Sequence, residues 1–321
     1  MPSSDLKPPA IFIVGPTGVG KSEIAIRLAQ ELGGEIISAD SRLAYRWMDI
    51  GTDKPDLRDR AGVRHHLIDV VDPDESWTLA DFQPAAVSAA SDIYSRGSLP
   101  FVVGGTGQYV RALTEGWRIP SQESDPTLRR DLEQIASGEG LDALHDRLKS
   151  LDPKAAVEID RRNPRRVIRA LEVIYRTGAP FSSQRTSAGP LLQFLMIGLS
   201  RPRDELYRRI DVRIERMVRS GLVTEVEGLL ARGYSADLPS FSAIGYREMA
   251  AFLRGEETLE HAVTVMKRRS RQLVRRQANW FKKGDPEIHW LEVDEDSVSR
   301  AIETVHEFLS KGGLVGQNGR D

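Results

Sequence analysis

Residues 15–22 have the types and the spacing of a phosphate-binding loop. Their pattern is G-x-x-x-x-G-K-[ST], in which glycines let backbone N–H groups converge on one anion and a lysine adds positive charge. The eight residues are Gly15, Pro16, Thr17, Gly18, Val19, Gly20, Lys21 and Ser22. The Ser22 hydroxyl is a suitable Mg²⁺ ligand. This loop predicts a site for a diphosphate or a nucleotide, and by itself it does not distinguish the two.

A carboxylate and a hydroxyl are expected beside this loop. Asp40 follows an apolar, β-rich run, and Thr106 lies in a Gly-Gly-Thr-Gly turn, residues 104–107, that follows another such run. Strands of one parallel sheet deliver the residues that follow them to a common edge. The Asp40 carboxylate is therefore expected to point into the same crevice as the loop, although an Asp in such a position is about as often a helix or turn cap. Because residues 104–107 include no carboxylate, and Asp69 follows only a short apolar run, NTP hydrolysis is not predicted.

Positive charge is concentrated in two segments, although the net charge of the chain is only −2. Residues 267–283 contain eight Lys or Arg and no acid, and residues 161–169 contain five arginines. The arginines at helical spacing in the first segment are Arg268, Arg271 and Arg275. Local charge decides whether a surface attracts phosphates. We interpret the first segment as a contact to a nucleic-acid backbone; the alternative is a solvated helix face.

The elements that would position these residues alternate between strands and helices. Four apolar runs predict buried strands, and helical patterns follow the first two. The runs are residues 10–14, 35–39, 100–103 and 191–199, and the helical patterns are residues 22–32 and 77–95. This alternation predicts an α/β fold, with a P-loop-type parallel sheet flanked by helices.

The pattern becomes purely helical between residues 117 and 190, which predicts an inserted all-helical domain. The catalytic α/β domain would then comprise residues 1–116 and 191–310, including a long basic helix over residues 259–283 and a last short strand. The remaining residues, 311–321, are predicted to be a flexible tail.

Composition excludes several classes of protein. Without cysteine there is no disulfide, no thiolate zinc site and no cysteine nucleophile, and the six histidines lack metal-ligand spacing. No apolar run approaches the roughly 20 residues that span a bilayer. The first nine residues are polar and lack the apolar core of a secretory signal. We therefore expect a cytoplasmic protein with no membrane association.

Six stretches together resemble the tRNA dimethylallyltransferase family, also called the isopentenyl-diphosphate:tRNA transferases. They are GPTGVGKS (15–22), IISADSRLAYRWMDIGTDKP (36–55), VVGGTGQYVRAL (102–113), NPRRVIRALEV (163–173), AIGYREM (243–249) and KRRSRQLVRRQANWFKK (267–283). They occur in the family's order through nearly the whole chain. Many families share the phosphate-binding loop, whereas the D-S-x-x-x-Y-R-x-M-D-I-G-T-x-K-P and R-Q-x-x-x-R-Q-x-x-W-F blocks are far more specific.

The resemblance implies transfer of the dimethylallyl group of dimethylallyl diphosphate to N6 of the adenine 3′ to the anticodon, with release of diphosphate. Residues 15–22 and Mg²⁺, with Ser22 as a ligand, would bind the donor. Asp40 would accept the amine proton, and Thr106 would lie near the donor and the adenine. A monomer is implied, with the helical insertion clasping the anticodon stem-loop.

The tRNA contacts implied by the resemblance are Asp40, Ser41, Arg42, Leu43, Thr106, Arg129, Arg165, Arg166, Val167, Ile168 and Arg169, to which the basic helix would add Arg268, Arg271 and Arg275. Leu43 departs from the family pattern, because many members carry Gln there. The segment before Arg129 is slightly longer than that pattern. The zinc finger of eukaryotic members is absent, which favours a bacterial form.

Three alternatives remain open from the residues. A small-molecule or nucleoside kinase would share the loop, the sheet and a helical lid, but leaves the basic helix unexplained. An enzyme that prenylates free adenine nucleotides would not need the insertion or two arginine clusters. An RNA-binding ATPase switch would need a firm Mg²⁺-binding acid, which the sequence does not clearly provide.

Overall fold

The structure is a computed structural model that describes residues 7–119, 125–184 and 187–312. The chain divides into two units: Met1–Thr114 with Pro190–Asp321, called the sheet unit below, and Glu115–Gly189, called the helical unit. The sequence pattern had placed the insertion at residues 117–190. The tail predicted over residues 311–321 lies, from residue 313 onward, outside the described residues.

In the described ranges the chain forms six strands and thirteen α-helices. The strands are β1 (Pro9–Val14), β2 (Gly34–Ser38), β3 (His65–His66), β4 (Leu99–Gly104), β5 (Gln193–Ser200) and β6 (Ile288–Glu292). The helices are α1 (Lys21–Leu32), α2 (Leu79–Ser95), α3 (Gly107–Glu115), α4 (Pro126–Gly138), α5 (Leu141–Leu151), α6 (Pro153–Glu158), α7 (Pro164–Thr177), α8 (Phe181–Gln184), α9 (Arg203–Arg219), α10 (Leu222–Ala231), α11 (Tyr246–Leu253), α12 (Leu259–Trp280) and α13 (Ser297–Lys311).

The six strands form one parallel sheet in the order β3-β2-β4-β1-β5-β6. Side chains of β1 alternate between two buried clusters: Ile11 and Ile13 lie in one, and Ala10, Phe12 and Val14 lie in the other. Because successive side chains of a strand point to opposite faces, an unbroken apolar run needs a hydrophobic layer on each face. The predicted α/β fold is confirmed.

The sheet order determines where the site lies. Strand β4 lies between β2 and β1, so the segments that follow these three strands meet at one edge of the sheet. Those segments are the residues after Ser38, the turn after Gly104 and the phosphate-binding loop. The loop passes directly into α1 at Gly20, whose φ of 104° is readily adopted only by glycine.

The helical unit has a hydrophobic core of its own, formed mainly by α4 to α7. Its central residues include Leu144, Leu148, Val167 and Leu171. In α7 the apolar residues recur at helical spacing, and Asn163 caps the helix by accepting the N–H of Arg166 at 3.3 Å. The arginines of α7 are therefore held on a well-defined helix.

Several elements were not predicted from the sequence. The short helices α3, α6, α8 and α11 and the two-residue strand β3 were missed, and the basic helix ends at Trp280 rather than at residue 283. His66 in β3 places Nε2 2.6 Å from Oε2 of Glu35. The described residues contain no group of three or more potential side-chain ligands that could hold a metal ion. None of the helices in the described ranges is long and apolar enough to cross a membrane.

Candidate active site

The phosphate-binding loop is curled around its own lysine. Nζ of Lys21 donates to the carbonyl oxygens of Gly15 at 3.0 Å and Pro16 at 2.9 Å. Gly15 and Gly18 both have left-handed φ values, 143° and 83°, and a Cβ on Gly15 would lie 2.6 Å from the carbonyl oxygen of Leu199. Glycine is therefore required at Gly15 both for the backbone conformation and for the close packing against β5.

Burial lowers the pKa of Lys21 to about 8; the nearby carboxylate of Asp40 opposes this shift, and the guanidinium of Arg213 adds to it. The first N–H groups of α1 have no intrahelical acceptor, so the loop combines a helix N-terminus, a lysine and nearby arginine charge. This combination suits a diphosphate.

Three arginines that the sequence analysis did not select bind this loop. Nε of Arg201 donates to the carbonyl oxygen of Val19 at 3.0 Å, and Nε of Arg209 donates to that of Gly18 at 2.9 Å. Arg213 donates from Nη2 to Oγ1 of Thr17 at 2.8 Å. The spacing of Arg209 and Arg213 on one helix was a usable signal, since residues four apart share a face.

Asp40 caps a turn with one of its two carboxylate oxygens. Its Oδ1 accepts the N–H of Arg42 at 2.9 Å, which is the cap expected of an Asp in a turn. For Oδ2, no hydrogen bond occurs within the described part of the chain. The two interpretations offered by the sequence are therefore compatible, because they use different oxygens of one carboxylate.

Thr106 joins the ends of β2 and β4. Its Oγ1 accepts the N–H of Ser41 at 3.2 Å, and its N–H donates to the carbonyl oxygen of Ala39 at 3.3 Å. The close contact between the ends of β2 and β4 requires glycine at position 104, because a Cβ on Gly104 would overlap the backbone of Ala39. Thr106 thus contacts the residues on both sides of Asp40, as the sequence analysis expected of strands sharing an edge.

Gln277, which sequence reasoning missed, closes the other side of the site. Its side chain, in the basic helix α12, is only 7 % exposed. Oε1 accepts the N–H of Thr17 at 2.8 Å, and Nε2 donates to the carbonyl oxygen of Gly105 at 3.1 Å. The signal available in the sequence was the R-Q-x-x-x-R-Q block, in which this is the second glutamine.

The segment that follows Asp40 is held by two charged side chains, of which one is buried. Lys54, whose side chain is 3 % exposed, places Nζ 2.6 Å from both Asp49 Oδ1 and Asp69 Oδ1. Glu225 accepts the backbone N–H groups of residues 49–51 at 2.7 to 3.2 Å. These contacts explain why so long a block of specific sequence follows Asp40.

A cavity of about 420 Å³ lies on the β5 side of the loop. Its lining includes Pro16, Leu199, Gln277 and Phe281, whereas Asp40 and Thr106 do not line it. Asp40 and Thr106 therefore lie apart from this cavity.

The basic helix α12 is less free of acids than its sequence indicates. Other elements supply partners: Arg271 Nη2 lies 2.6 Å from Asp211 Oδ2, Lys267 pairs with Glu215 at 2.7 Å, and Arg269 pairs with Glu248. The inference that no acid balances this segment was wrong, because sequence proximity does not reveal partners on α9 and α11. Arg268 and Arg275 are exposed, and neither has an ion pair in the described ranges.

The remaining predicted residues fall into two groups. Ser41, Arg42 and Leu43 are partly exposed at the end of β2, and Ser22 is exposed at the start of α1. In the helical unit, Arg165 and Arg166 are exposed and Arg129 and Arg169 partly so. The side chains of Val167 and Ile168 lie in the core of that unit, 0 % and 3 % exposed. Of residues 165–169, the arginines therefore carry the accessible charge.

Comparison with known families agrees with this geometry. The profile of the IPP transferase family matches residues 43–284, and that of the isopentenyl transferase family matches residues 9–69. The tRNA dimethylallyltransferase of Roseiflexus castenholzii is 49 % identical over 297 residues, which cover 92 % of this chain and 97 % of that protein. That of Pelotomaculum thermopropionicum is 45 % identical over 304 residues, 94 % of this chain and 96 % of that protein.

Solved structures show the same relationship. The tRNA isopentenylpyrophosphate transferase of Bacillus halodurans aligns with a TM-score of 0.71 and 42 % identity, covering 96 % of this chain and 98 % of that one. A eukaryotic dimethylallyltransferase acting on tRNA aligns with a TM-score of 0.80 and 30 % identity, covering 95 % and 80 %. On the strength of a family profile that spans most of its length and of relatives at nearly half identity, the chain belongs to the IPP transferase family, that of the tRNA dimethylallyltransferases.

Proposed function

We propose that this chain transfers the dimethylallyl group of dimethylallyl diphosphate to the N6 amine of the adenine 3′ to the anticodon of tRNA. The carrying observation is a phosphate-binding loop whose neighbouring strand, β4, ends without a carboxylate, beside an aspartate with one unused oxygen. Such a site binds and releases diphosphate without hydrolysing a nucleotide. The relatives are named for the same class of reaction.

The donor's diphosphate would bind the loop through the N-terminus of α1, Lys21 and Arg213. As the allylic C–O bond breaks, negative charge develops on the leaving diphosphate, and positive groups placed there stabilise it. Arg213 is held in place by Thr17 and by Asp53, whose Oδ2 lies 3.3 Å from Nη1, and its Nε has no hydrogen-bond partner in the described residues. Thr17 is also part of this contact: its N–H is bound by Gln277, and its hydroxyl oxygen accepts from Arg213. It positions the loop.

The acceptor amine is a weak nucleophile, because its lone pair is delocalised into the adenine ring. The new bond forms between N6 and the allylic carbon while the C–O bond to diphosphate breaks, and N6 must lose one proton. Oδ2 of Asp40 accepts this proton, while Oδ1 keeps the turn at Arg42 in place. An adenine reaches such a crevice only after leaving its stack, as in other enzymes that act on bases.

Mg²⁺ is proposed as the partner of the diphosphate. The exposed hydroxyl of Ser22 is an oxygen ligand that fits it, and Mg²⁺ typically takes few protein ligands beside substrate phosphates and water. When bound, the ion would neutralise part of the charge on the leaving group. Lys21 and Arg213 perform the corresponding task from the protein side.

The tRNA would be held by phosphate contacts from the exposed arginines of both units. Those of the sheet unit are Arg42, Arg268 and Arg275, and those of the helical unit are Arg129, Arg165, Arg166 and Arg169. Backbone contacts fix register without reading sequence. We further propose that the enzyme acts as a monomer and in the cytoplasm.

The kinase alternative has no comparable support. The relatives are transferases that act on tRNA. Strand β4 also ends without the carboxylate that would bind the Mg²⁺ of an NTP. Prenylation of free adenine nucleotides would leave the exposed arginines of the helical unit without a function. The two alternatives differ from the proposed function in the molecule that is modified: a kinase would consume ATP, and the other enzyme would prenylate AMP.

The test is incubation with radiolabelled dimethylallyl diphosphate, Mg²⁺ and an unmodified tRNA that has adenine next to its anticodon. Parallel reactions contain AMP in place of tRNA, or ATP alone. We expect label in tRNA at that adenine, and none in AMP. Label in AMP, or steady release of phosphate from ATP without transfer, contradicts the proposed function.

A further inference from the structure

The helical unit buries a carboxylate that has no hydrogen-bond donor. Glu172, in α7, is 0 % exposed, and neither Oε1 nor Oε2 has a hydrogen-bond partner in the described part of the chain. A buried charge is usually hydrogen-bonded or closely paired, because removing it from water is costly. An exception of this kind needs a physical explanation.

Two guanidinium groups flank this carboxylate. Nη1 of Arg129, on α4, lies 3.6 Å from Oε1, and Nη1 of Arg169, on α7, lies 3.6 Å from Oε2. These separations are short enough for strong electrostatic attraction but longer than hydrogen bonds. Each oxygen of Glu172 thus faces a different arginine. One carboxylate therefore lies between a guanidinium group of α4 and a guanidinium group of α7.

Both arginines remain accessible to solvent despite this contact. Arg129 and Arg169 keep 37 % and 36 % of their side chains exposed, so part of each donor fork faces solvent. Arg129 also has Nε 3.4 Å from Oε1 of Glu133, but that partner is 59 % exposed, and such surface pairs contribute little. Arg165 lies one helical turn before Arg169 and adds positive charge on the same face.

We propose that Glu172 is a positioning residue that fixes Arg129 and Arg169 as a paired binding site for one backbone phosphate of the tRNA. The inference rests on the proposed function, which supplies the polyanion. A guanidinium held at a fixed angle loses less side-chain entropy on binding a phosphate than a mobile one. The Glu172 carboxylate is suited to this task because no other group donates a hydrogen bond to it in the described residues, so its charge acts on the two arginines.

The sign of the effect separates positioning from simple charge balance. Glu172→Gln removes one negative charge from a surface that binds a polyanion. If the carboxylate only balanced charge, its removal would strengthen tRNA binding. If it positions the arginines, their guanidinium groups separate and repel each other, and binding of tRNA weakens.

The experiment compares three variants of the full chain. Glu172→Gln is tested beside Glu139→Gln, which removes the same charge from an exposed glutamate paired with Arg147 in the same unit. Arg169→Lys keeps the charge and loses the planar fork, so it tests the site even if Glu172→Gln fails to fold. Circular dichroism and the thermal midpoint check folding, and fluorescence anisotropy measures Kd for a labelled tRNA at several salt concentrations.

We expect Glu172→Gln to raise Kd for tRNA about tenfold and to lower the slope of log Kd against log salt by about one, with KM for dimethylallyl diphosphate unchanged. Arg169→Lys should behave alike, and Glu139→Gln should stay within about twofold of wild type. Equal or tighter tRNA binding by Glu172→Gln, with an unchanged salt slope, overturns the inference. So does a change in KM for the donor alone. If wild type itself neither binds nor modifies tRNA, the proposed function fails instead.

Discussion

Gln277 accepts the backbone N–H of Thr17 at 2.8 Å, although 260 positions separate the two residues in the chain. The same amide donates to Gly105, so one buried side chain connects the basic helix, the phosphate-binding loop and the turn that carries Thr106. In the proposed function, this connection would hold a prenyl donor on the loop and an acceptor near Thr106 at a fixed separation. Positioning of this kind accounts for much of the rate of group-transfer reactions.

Gln277→Ala should weaken donor binding by about 5- to 30-fold. The reason is that Thr17 N–H and the carbonyl of Gly105 both lose a buried partner, a cost of about 1–2 kcal/mol. Isothermal titration with dimethylallyl diphosphate measures the change. Gln272→Ala, in an exposed position of the same helix, is the matched control. Equal affinities for the two variants would contradict the role of the bridge.

Asp40→Asn should lower the transfer rate by about 10²- to 10⁴-fold, the usual contribution of a general base. Asparagine keeps an oxygen that accepts the N–H of Arg42, so the turn remains, while the group that takes the proton is lost. Single-turnover transfer of label to tRNA measures the rate, and titration of the donor measures binding separately. A rate within threefold of wild type would exclude Asp40 as the base.

Donor affinity should fall as the pH rises through about 8. The pKa of Lys21 is lowered to about 8 by burial, so the lysine is protonated below that pH and neutral above it. A diphosphate prefers the protonated form, and its own ionisation is nearly complete above about pH 7. Affinity is therefore greatest below pH 8 and declines up to tenfold for each further unit.

Lys21→Arg is the control for this pH dependence, since a guanidinium stays charged throughout this range. Its affinity for dimethylallyl diphosphate, whatever its absolute value, should be flat between about pH 7 and 9.5. A decline of the same size in both proteins would assign the titration to another group.

Local pattern was sufficient to predict the sheet and the loop, because both depend on neighbours in sequence. Strand β1 is an unbroken apolar run, and the loop follows it with a fixed spacing of glycines. The turn that carries Thr106 and the position of Asp40 followed from the rule that parallel strands share a carboxyl edge. The contact between Thr106 and Ser41 agrees with that rule.

Long-range pairing was not accessible in the same way. Arg213 reaches Thr17 from α9, and Asp211 pairs with Arg271 from the same helix, so a segment with no acid of its own is partly neutralised. Glu172 appeared only as one letter of a family block, because burial without donors is a property of the packed helices. Single-sequence reasoning therefore placed Asp40, Thr106 and the loop at one sheet edge but missed the long-range side chains that contact them.

Gly107→Ala should destabilise the sheet unit by about 1–3 kcal/mol and reduce transfer. Gly107 begins α3, next to Thr106, and an added Cβ would overlap the indole of Trp280 at the end of α12. Either the indole or the turn must move, and both lie beside the proposed reacting groups. Urea unfolding measures the free energy of unfolding, and single-turnover transfer measures the effect on the site.

Gly284→Ala is the matched control, because an added Cβ there meets no atom within 4 Å. It should leave the urea midpoint and the transfer rate within experimental error of wild type. If Gly107→Ala behaves in the same way, Trp280 yields without cost, and the contact between α12 and the Thr106 turn does not constrain the site. A loss of stability with unchanged transfer would instead show that Trp280 holds the helix end but not the reacting groups.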